Sequence, residues 1–284
     1  MTGAVSSADG VTVRYDVHGA GPHGAGTHGA GPHGRGLPAL VLVHGWSCDR
    51  GYWRHQVPRF AAERTVVTVD LAGHGESGTA GRSAWTMPSF GGDVAAVADH
   101  LGLDDLVLAG HSMGGDVIIE AARLLPGRMR GLIWLDTYRR LAEPGDPGQA
   151  AADLAAFLAP FRAGFATATR AFVRRLFPPD ADEDLVAWVA ADMAAAPPEI
   201  AVDALRHAFS NEAAAIAGLR DLGLPAVAIN PAEPPSDRAS LARHGVTLSE
   251  VPGVGHFLML EDPAAVSRAL GEAIAAFPGP PGAP

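Results

Sequence analysis

At 284 residues the chain has room for one large α/β domain, or for one domain carrying a sizeable insertion. Hydrophobic residues at 48% and charged residues at 18% are an ordinary globular balance with ample material for a core. The 21 Lys and Arg against 31 Asp and Glu leave a net charge of −10 with no basic run anywhere, which argues against nucleic-acid partners because such a surface repels phosphate backbones.

Met1 to Gly10 is polar and lacks the basic start and apolar stretch of a secretion signal. No apolar run approaches bilayer length, and the Ala-rich stretch from Gln149 to Thr169 is broken by Asp153, Pro160, Arg162 and Gly164. The expectation is a soluble, cytoplasmic chain with no membrane partner. Val11 to Val17 alternates with period two and reads as a strand with one wet face. His18, His23, His28 and His33 then recur every five residues among Gly, Ala, Pro and Thr. A metal-binding tract is one reading of that repeat. Evenly spaced histidines in a Gly-rich loop preorganise no ligand geometry, so residues 18–36 are read instead as a lengthened surface loop, with no metal. Cys48 is the only cysteine, which rules out an internal disulfide and a cysteine-based zinc site.

From Leu37 the pattern becomes strand, helix, strand, helix. Leu40 to Val43 is a short apolar run ending in His44-Gly45, consistent with a strand buried on both faces. Thr65 to Asp70 is the next, closing on Gly73-His74-Gly75. Phe90, Val94, Val97, Ala98 and Leu101 recur at helical spacing, with Ser89 placed as N-cap. Leu106 to Ala109 is a third buried strand, Met113 to Leu125 a helix stopped by Pro126-Gly127, and Leu132 to Asp136 a fourth strand. This alternation predicts a mostly parallel sheet with helices on both faces. From about Thr137 to Leu222 helical periodicity runs on without a strand, in stripes such as Leu154, Phe157, Leu158, Phe161 and Phe165. Strands resume at Ala226 to Ile229 and Val246 to Leu248, with a helix from about Pro263 to Phe277. Residues 1–136 and 223–284 therefore read as the core, and 137–222 as an inserted helical lid whose aromatics pack among themselves.

Gly110-His111-Ser112-Met113-Gly114 fits Gly-x-Ser-x-Gly, directly after a buried strand and directly before a helix. That elbow lifts the serine oxygen above the sheet, and the glycines permit a turn and close packing that any Cβ would obstruct. The helix N-terminus stabilises negative charge developing nearby. Ser112 is thus the candidate nucleophile. It needs a base, and His256 in Gly253-Val254-Gly255-His256-Phe257 is best placed, past the last strand and before the last helix. His44, His74 and His111 sit inside glycine turns and read as structural, and His55, His100, His207 and His244 fall on helices. An oxyanion hole needs two aimed backbone donors, expected at Met113, after the nucleophile, and at Trp46, after His44-Gly45. The Trp46 indole is a candidate wall of the acyl pocket.

With these motifs assembled, the chain resembles the α/β-hydrolase-fold serine esterases. His44-Gly45-Trp46, Asp70-Leu71-Ala72-Gly73-His74-Gly75-Glu76-Ser77, Gly110-His111-Ser112-Met113-Gly114-Gly115 and Gly255-His256-Phe257 occur in that family's order. The resemblance implies an α/β-hydrolase fold and a third triad member that orients His256 and stabilises its imidazolium form. In most of the family the acid follows the strand that here ends at Asn230, which offers Glu233 and, further on, Asp237. Some relatives, such as the haloalkane dehalogenases, place it one strand earlier, which offers Asp136 at the sheet's C-terminal edge. Asp136 is preferred, with Glu233 the alternative. The resemblance implies serine hydrolysis without a cofactor, and with the lid aromatics and Trp46 suggesting an apolar pocket, the leading expectation is cleavage of a small to medium, partly apolar ester or thioester through an acyl-enzyme. Cleavage of a C–C bond, or perhydrolase activity, on the same triad is the alternative. A non-catalytic binding protein on this fold would be marked by a lost Ser112 or His256, and both are present.

Overall fold

The computed structural model describes residues 1–19, 37–141 and 146–279, so His23, His28 and His33 lie outside the described residues. The first element is a strand the sequence reading did not anticipate: β1 (Thr2–Ser6) pairs antiparallel with β2 (Thr12–His18), placing Ala4 opposite Arg14. It is an edge strand with no buried face, so its residues carry no hydrophobic alternation. In β2 the odd positions from Val13 to Val17 are buried and the even ones are not, the expected one-sided pattern.

Every residue of β3 (Ala39–Val43), β4 (Val66–Asp70) and β5 (Leu106–His111) is buried, as continuous apolar runs in the middle of a covered sheet must be. Between these strands lie α1 (Gln56–Ala61) and α2 (Met87–His100). The start of α2 differs from expectation: Thr86 is the N-cap and its Oγ1 accepts the Ser89 amide at 3.2 Å. Pro88 explains the shift, because a residue without an N–H suits the first helical turn and so draws the start three residues upstream. After β5 come α3 (Met113–Leu124) and β6 (Met129–Leu135).

No strand occurs among the described residues from Thr137 to Leu222, which form α4 (Pro147–Ala163), α5 (Phe165–Arg174), α6 (Glu183–Met193), α7 (Pro198–Phe209) and α8 (Glu212–Leu222). The helices α4 to α7 pack mainly on one another. In contrast, α8 lies on α3, so closely that a Cβ at Gly218 would come within 2.8 Å of Ile119. The chain closes with β7 (Ala226–Pro231), α9 (Arg238–Arg243), β8 (Val246–Val251), α10 (Leu258–Glu261) and α11 (Pro263–Ala276). Asp237 caps α9, accepting the Ser240 amide at 2.8 Å.

The strands form one sheet of eight in the order β1-β2-β4-β3-β5-β6-β7-β8, parallel except for the β1 and β2 pairings. Its register decides the site. His111 pairs with Leu135 and Leu135 with Ile229, so Ser112, Asp136 and Asn230 leave neighbouring strands at one level of the C-terminal edge. Open parallel sheets bind and react at that edge.

Candidate active site

Ser112 is the entire turn between β5 and α3, held at φ 52° and ψ −122°. A non-glycine residue at positive φ costs roughly 1–3 kcal/mol and persists only where its surroundings fix it. Here the Ser112 amide donates to the Leu135 carbonyl at 3.0 Å, and Thr137 Oγ1 donates to the Ser112 carbonyl at 3.0 Å. The flanking glycines are steric requirements: a Cβ on Gly114 would sit 2.6 Å from the Val43 and His44 carbonyl oxygens, and one on Gly110 would overlap the Gly114 carbonyl.

The loop after β3 abuts the serine, since a Cβ on Gly45 would come 3.1 Å from Ser112 Cβ. In that loop the Trp46 amide donates to no described backbone acceptor. Met113 opens α3, where helical N–H groups have no intrahelical acceptor. The two expected oxyanion donors thus belong to the loop beside Ser112 and to the first residue of α3. The Trp46 indole Nε1 donates to the Ala201 carbonyl at 2.7 Å, tying this loop to α7. Its ring meets Phe161, Phe165 and Phe172 edge-on at centroid distances of 5.6–6.1 Å.

His256 and Asp136 lie 120 residues apart and meet through a 2.7 Å contact between Nδ1 and Oδ2. The second Asp136 oxygen, Oδ1, pairs with Arg139 Nη2 at 3.1 Å. Burial raises the Asp136 carboxyl, but the hydrogen bond from His256 and the charges of His256 and Arg139 outweigh it and hold the group below its ordinary value. An ionised Asp136 accepts from Nδ1–H and leaves Nε2 as the ring's other nitrogen. Among the described residues, neither that Nε2 nor the Ser112 hydroxyl has a hydrogen-bond partner. Glu233 is exposed and bonds to nothing described, and Asp237 is spent on its cap. Of the weighed carboxylates, Asp136 is the one that touches His256.

The loop carrying His256 is held by groups the sequence reading missed. Glu261 accepts the Gly255 amide at 2.9 Å and the Phe257 amide at 3.1 Å, so one carboxylate spans the histidine's two neighbours. Its only sequence signal is a carboxylate five residues beyond the histidine, too common a spacing to single out. The His256 amide donates to Leu176 O at 2.8 Å, from the turn between α5 and α6. His111 Nε2 donates to the His256 carbonyl at 2.9 Å, and burial beside His256 lowers its pKa to about 3. His44 and His74 are also buried and kept neutral by desolvation. The tautomer of His44 follows from its partners: Nε2 accepts the Leu71 amide at 3.0 Å, so Nδ1–H donates to Gly45 O at 2.8 Å. These histidines brace the turns around the site. Among the described residues no group of three His, Cys, Asp or Glu side chains gathers as a metal site, and no single helix is long and apolar enough to cross a membrane.

An elbow serine and a histidine–aspartate pair at the C-terminal edge of a doubly covered sheet mark a hydrolase-fold protein. Comparison with known proteins agrees: residues 40–269 match the model of the alpha/beta hydrolase family, and the chain belongs to that family. A pimeloyl-[acyl-carrier protein] methyl ester esterase from Methylococcus capsulatus is 34% identical over 137 residues, which are 48% of this chain and 52% of that protein. A dihydrolipoyllysine-residue acetyltransferase component of the acetoin cleaving system from Pseudomonas putida is 44% identical over 93 residues, 33% of this chain and 25% of that protein. The chain thus spans between a quarter and about half the length of these relatives. Among solved structures, a thermophilic esterase from Thermogutta terrifontis superposes with a TM-score of 0.77 at 24% identity, covering 97% of this chain and 98% of that one. A bromoperoxidase from Bacillus anthracis gives 0.78 at 20% identity, covering 97% and 100%. At these identities the likeness is one of fold.

Proposed function

We propose that the chain is a serine hydrolase that cleaves a carboxylic ester or thioester of a small to medium, partly apolar substrate through an acyl-enzyme. The observation that carries this reading is the 2.7 Å Asp136–His256 contact standing at the same sheet edge as the strained Ser112 elbow. In the proposed reaction Ser112 Oγ attacks the acyl carbon as His256 Nε2 takes its proton, and His256⁺ then protonates the departing alcohol or thiol. Asp136 holds the ring in the Nδ1–H tautomer and stabilises the imidazolium without itself taking the proton. The amides of Trp46 and Met113 bind the oxyanion of each tetrahedral intermediate. Water, activated by the same histidine, releases the acid.

The apolar half of the substrate packs against Trp46 and the aromatic cluster of α4 and α5, and α4 to α7 act as a lid. The last helix of the block, α8, packs on α3. The methyl ester esterase named among the relatives supports this substrate class. Replacement of the nucleophile is the direct test. Ser112→Ala abolishes fluorophosphonate labelling and lowers kcat on an aryl ester by roughly 10³-fold or more, with Tm little changed. Turnover by the purified variant at a substantial fraction of the parent rate overturns the mechanism.

A further inference from the structure

The loop after β7, where most of the family keeps its acid, is here bound to a cation. Arg139 reaches into it from the other side, donating through Nη1 to Pro231 O at 3.3 Å and also to Pro234 O. Its Nη2 faces Asp136 Oδ1 at 3.1 Å. The backbone of Arg139 is anchored as well, its carbonyl accepting the Asp237 amide at 2.8 Å. One residue earlier, the Tyr138 carbonyl accepts from Asn230 Nδ2 at 2.9 Å. Asp136 itself stands at φ 44°, a conformation that needs external support. We infer that Arg139 is a positioning residue that couples the two loops and holds the Asp136 carboxylate in the orientation His256 requires.

The two oxygens of Asp136 then have separate duties. Oδ2 accepts from His256, and Oδ1 is pinned by a guanidinium whose own orientation is set by two carbonyls. Planar donors in a fixed fork suit this task better than a single ammonium. The charge has a second consequence. Arg139 places a positive charge beside the carboxylate whose negative field favours the imidazolium. The other ionisable groups facing His256 are His111, neutral at a ring separation of 4.6 Å, and Glu261, which binds the amides of the loop. From the helical block His256 receives a backbone carbonyl, Leu176 O.

The inference rests on the proposed triad, and its test separates the two. Arg139→Met, Arg139→Lys, Asp136→Asn and the Arg139→Met/Asp136→Asn pair are compared on one aryl ester, with pH profiles for the Arg139 variants. Arg139→Met lowers kcat by about 10- to 100-fold with KM little changed, since a misplaced catalytic group costs up to about that factor. It also moves the acid limb of kcat/KM upward by about one pH unit, the size of a lost neighbouring charge. Arg139→Lys returns the limb most of the way, and Arg139→Met adds little once Asp136 is Asn. An unmoved limb with kcat and Tm falling together makes Arg139 merely structural and overturns the inference. An equal loss from Arg139→Met in both backgrounds overturns it too, because Arg139 then does not act through Asp136. If Asp136→Asn alone is fully active, the triad itself fails, and the inference fails with it for that separate reason.

Discussion

The loops after β6 and β7 leave adjacent strands at the same edge of the sheet, and each carries a carboxylate. The first turns inward at once: Asp136, at positive φ, keeps its side chain 8% exposed with its oxygens on His256 and Arg139. The second runs outward through Pro231, Pro234 and Pro235, and Glu233 ends exposed. What this loop contributes to the edge is backbone, the Pro231 and Pro234 carbonyls that hold Arg139. On the proposed triad, two loops at one address divide the work that one loop performs in most of the family, with the charge on β6 and its brace on β7. A carboxylate's place along the chain does not decide whether it can orient a histidine. Burial and direction do.

Exchange of the two carboxylates for amides is the sharpest way to break this comparison. Asp136→Asn lowers kcat by roughly 10⁴-fold, because an amide favours the wrong imidazole tautomer and cannot stabilise the imidazolium. Glu233→Gln leaves kcat within about twofold, as expected of a solvated surface side chain. Steady-state rates at equal foldedness check the pair, and the reverse ranking returns the acid to the loop after β7.

A smaller effect should appear in stability against pH. Tyr138, in the β6 loop, donates its hydroxyl to Asp116 on α3 at 2.5 Å, and Asn211 donates to the same oxygen at 2.9 Å. Burial nevertheless raises the Asp116 carboxyl from 3.8 to about 6, with the nearby Glu120 and Glu212 adding to the rise. The folded chain therefore binds this proton more tightly than the unfolded chain does. Its contribution to stability is complete below the unfolded value of 3.8 and is lost as the pH rises through about 6. Asp116→Asn should remove that component, flattening Tm against pH between about 4 and 6.5 relative to the parent. Parallel curves for the two proteins would show that Asp116 is not its source.

The smallest effect serves as a control. Deleting the histidine repeat from about Gly19 to Gly36 and joining the ends with a short linker leaves kcat/KM within about twofold, because loop closure changes by only about 0.6 kcal/mol per halving of length. Loss of a bound metal and of activity on deletion would instead make the repeat a working site.

Much of the scaffold could be read without coordinates because its signals are local. The runs Leu40 to Val43 and Leu106 to Ala109 are apolar at every position, as burial on both faces demands, and Gly110, Gly114 and Gly115 mark a turn that tolerates no Cβ. The edge strand Thr2–Ser6 was missed because it buries no face and so leaves no period to detect. That α8 packs on α3 while α4 to α7 pack mainly on one another could not be read there, because all five helices carry the same helical spacing.

The candidate site divides along the same line. Ser112 and His256 could be named from the chain alone, since an elbow needs glycines at fixed offsets and the base falls in a short loop between the last strand and the last helix. Asp136 and Glu233 remained rivals there, because sequence order does not say which loop turns toward the histidine. Tertiary structure decided the contact, through a register that sets Ser112, Asp136 and Asn230 level on neighbouring strands. It also brought in Arg139, Glu261 and Leu176 O, whose roles depend on partners from separate segments of the chain. Periodicity and glycine spacing record what a residue needs from its immediate neighbours, whereas a hydrogen bond across 120 residues exists only once the sheet has fixed where each strand ends.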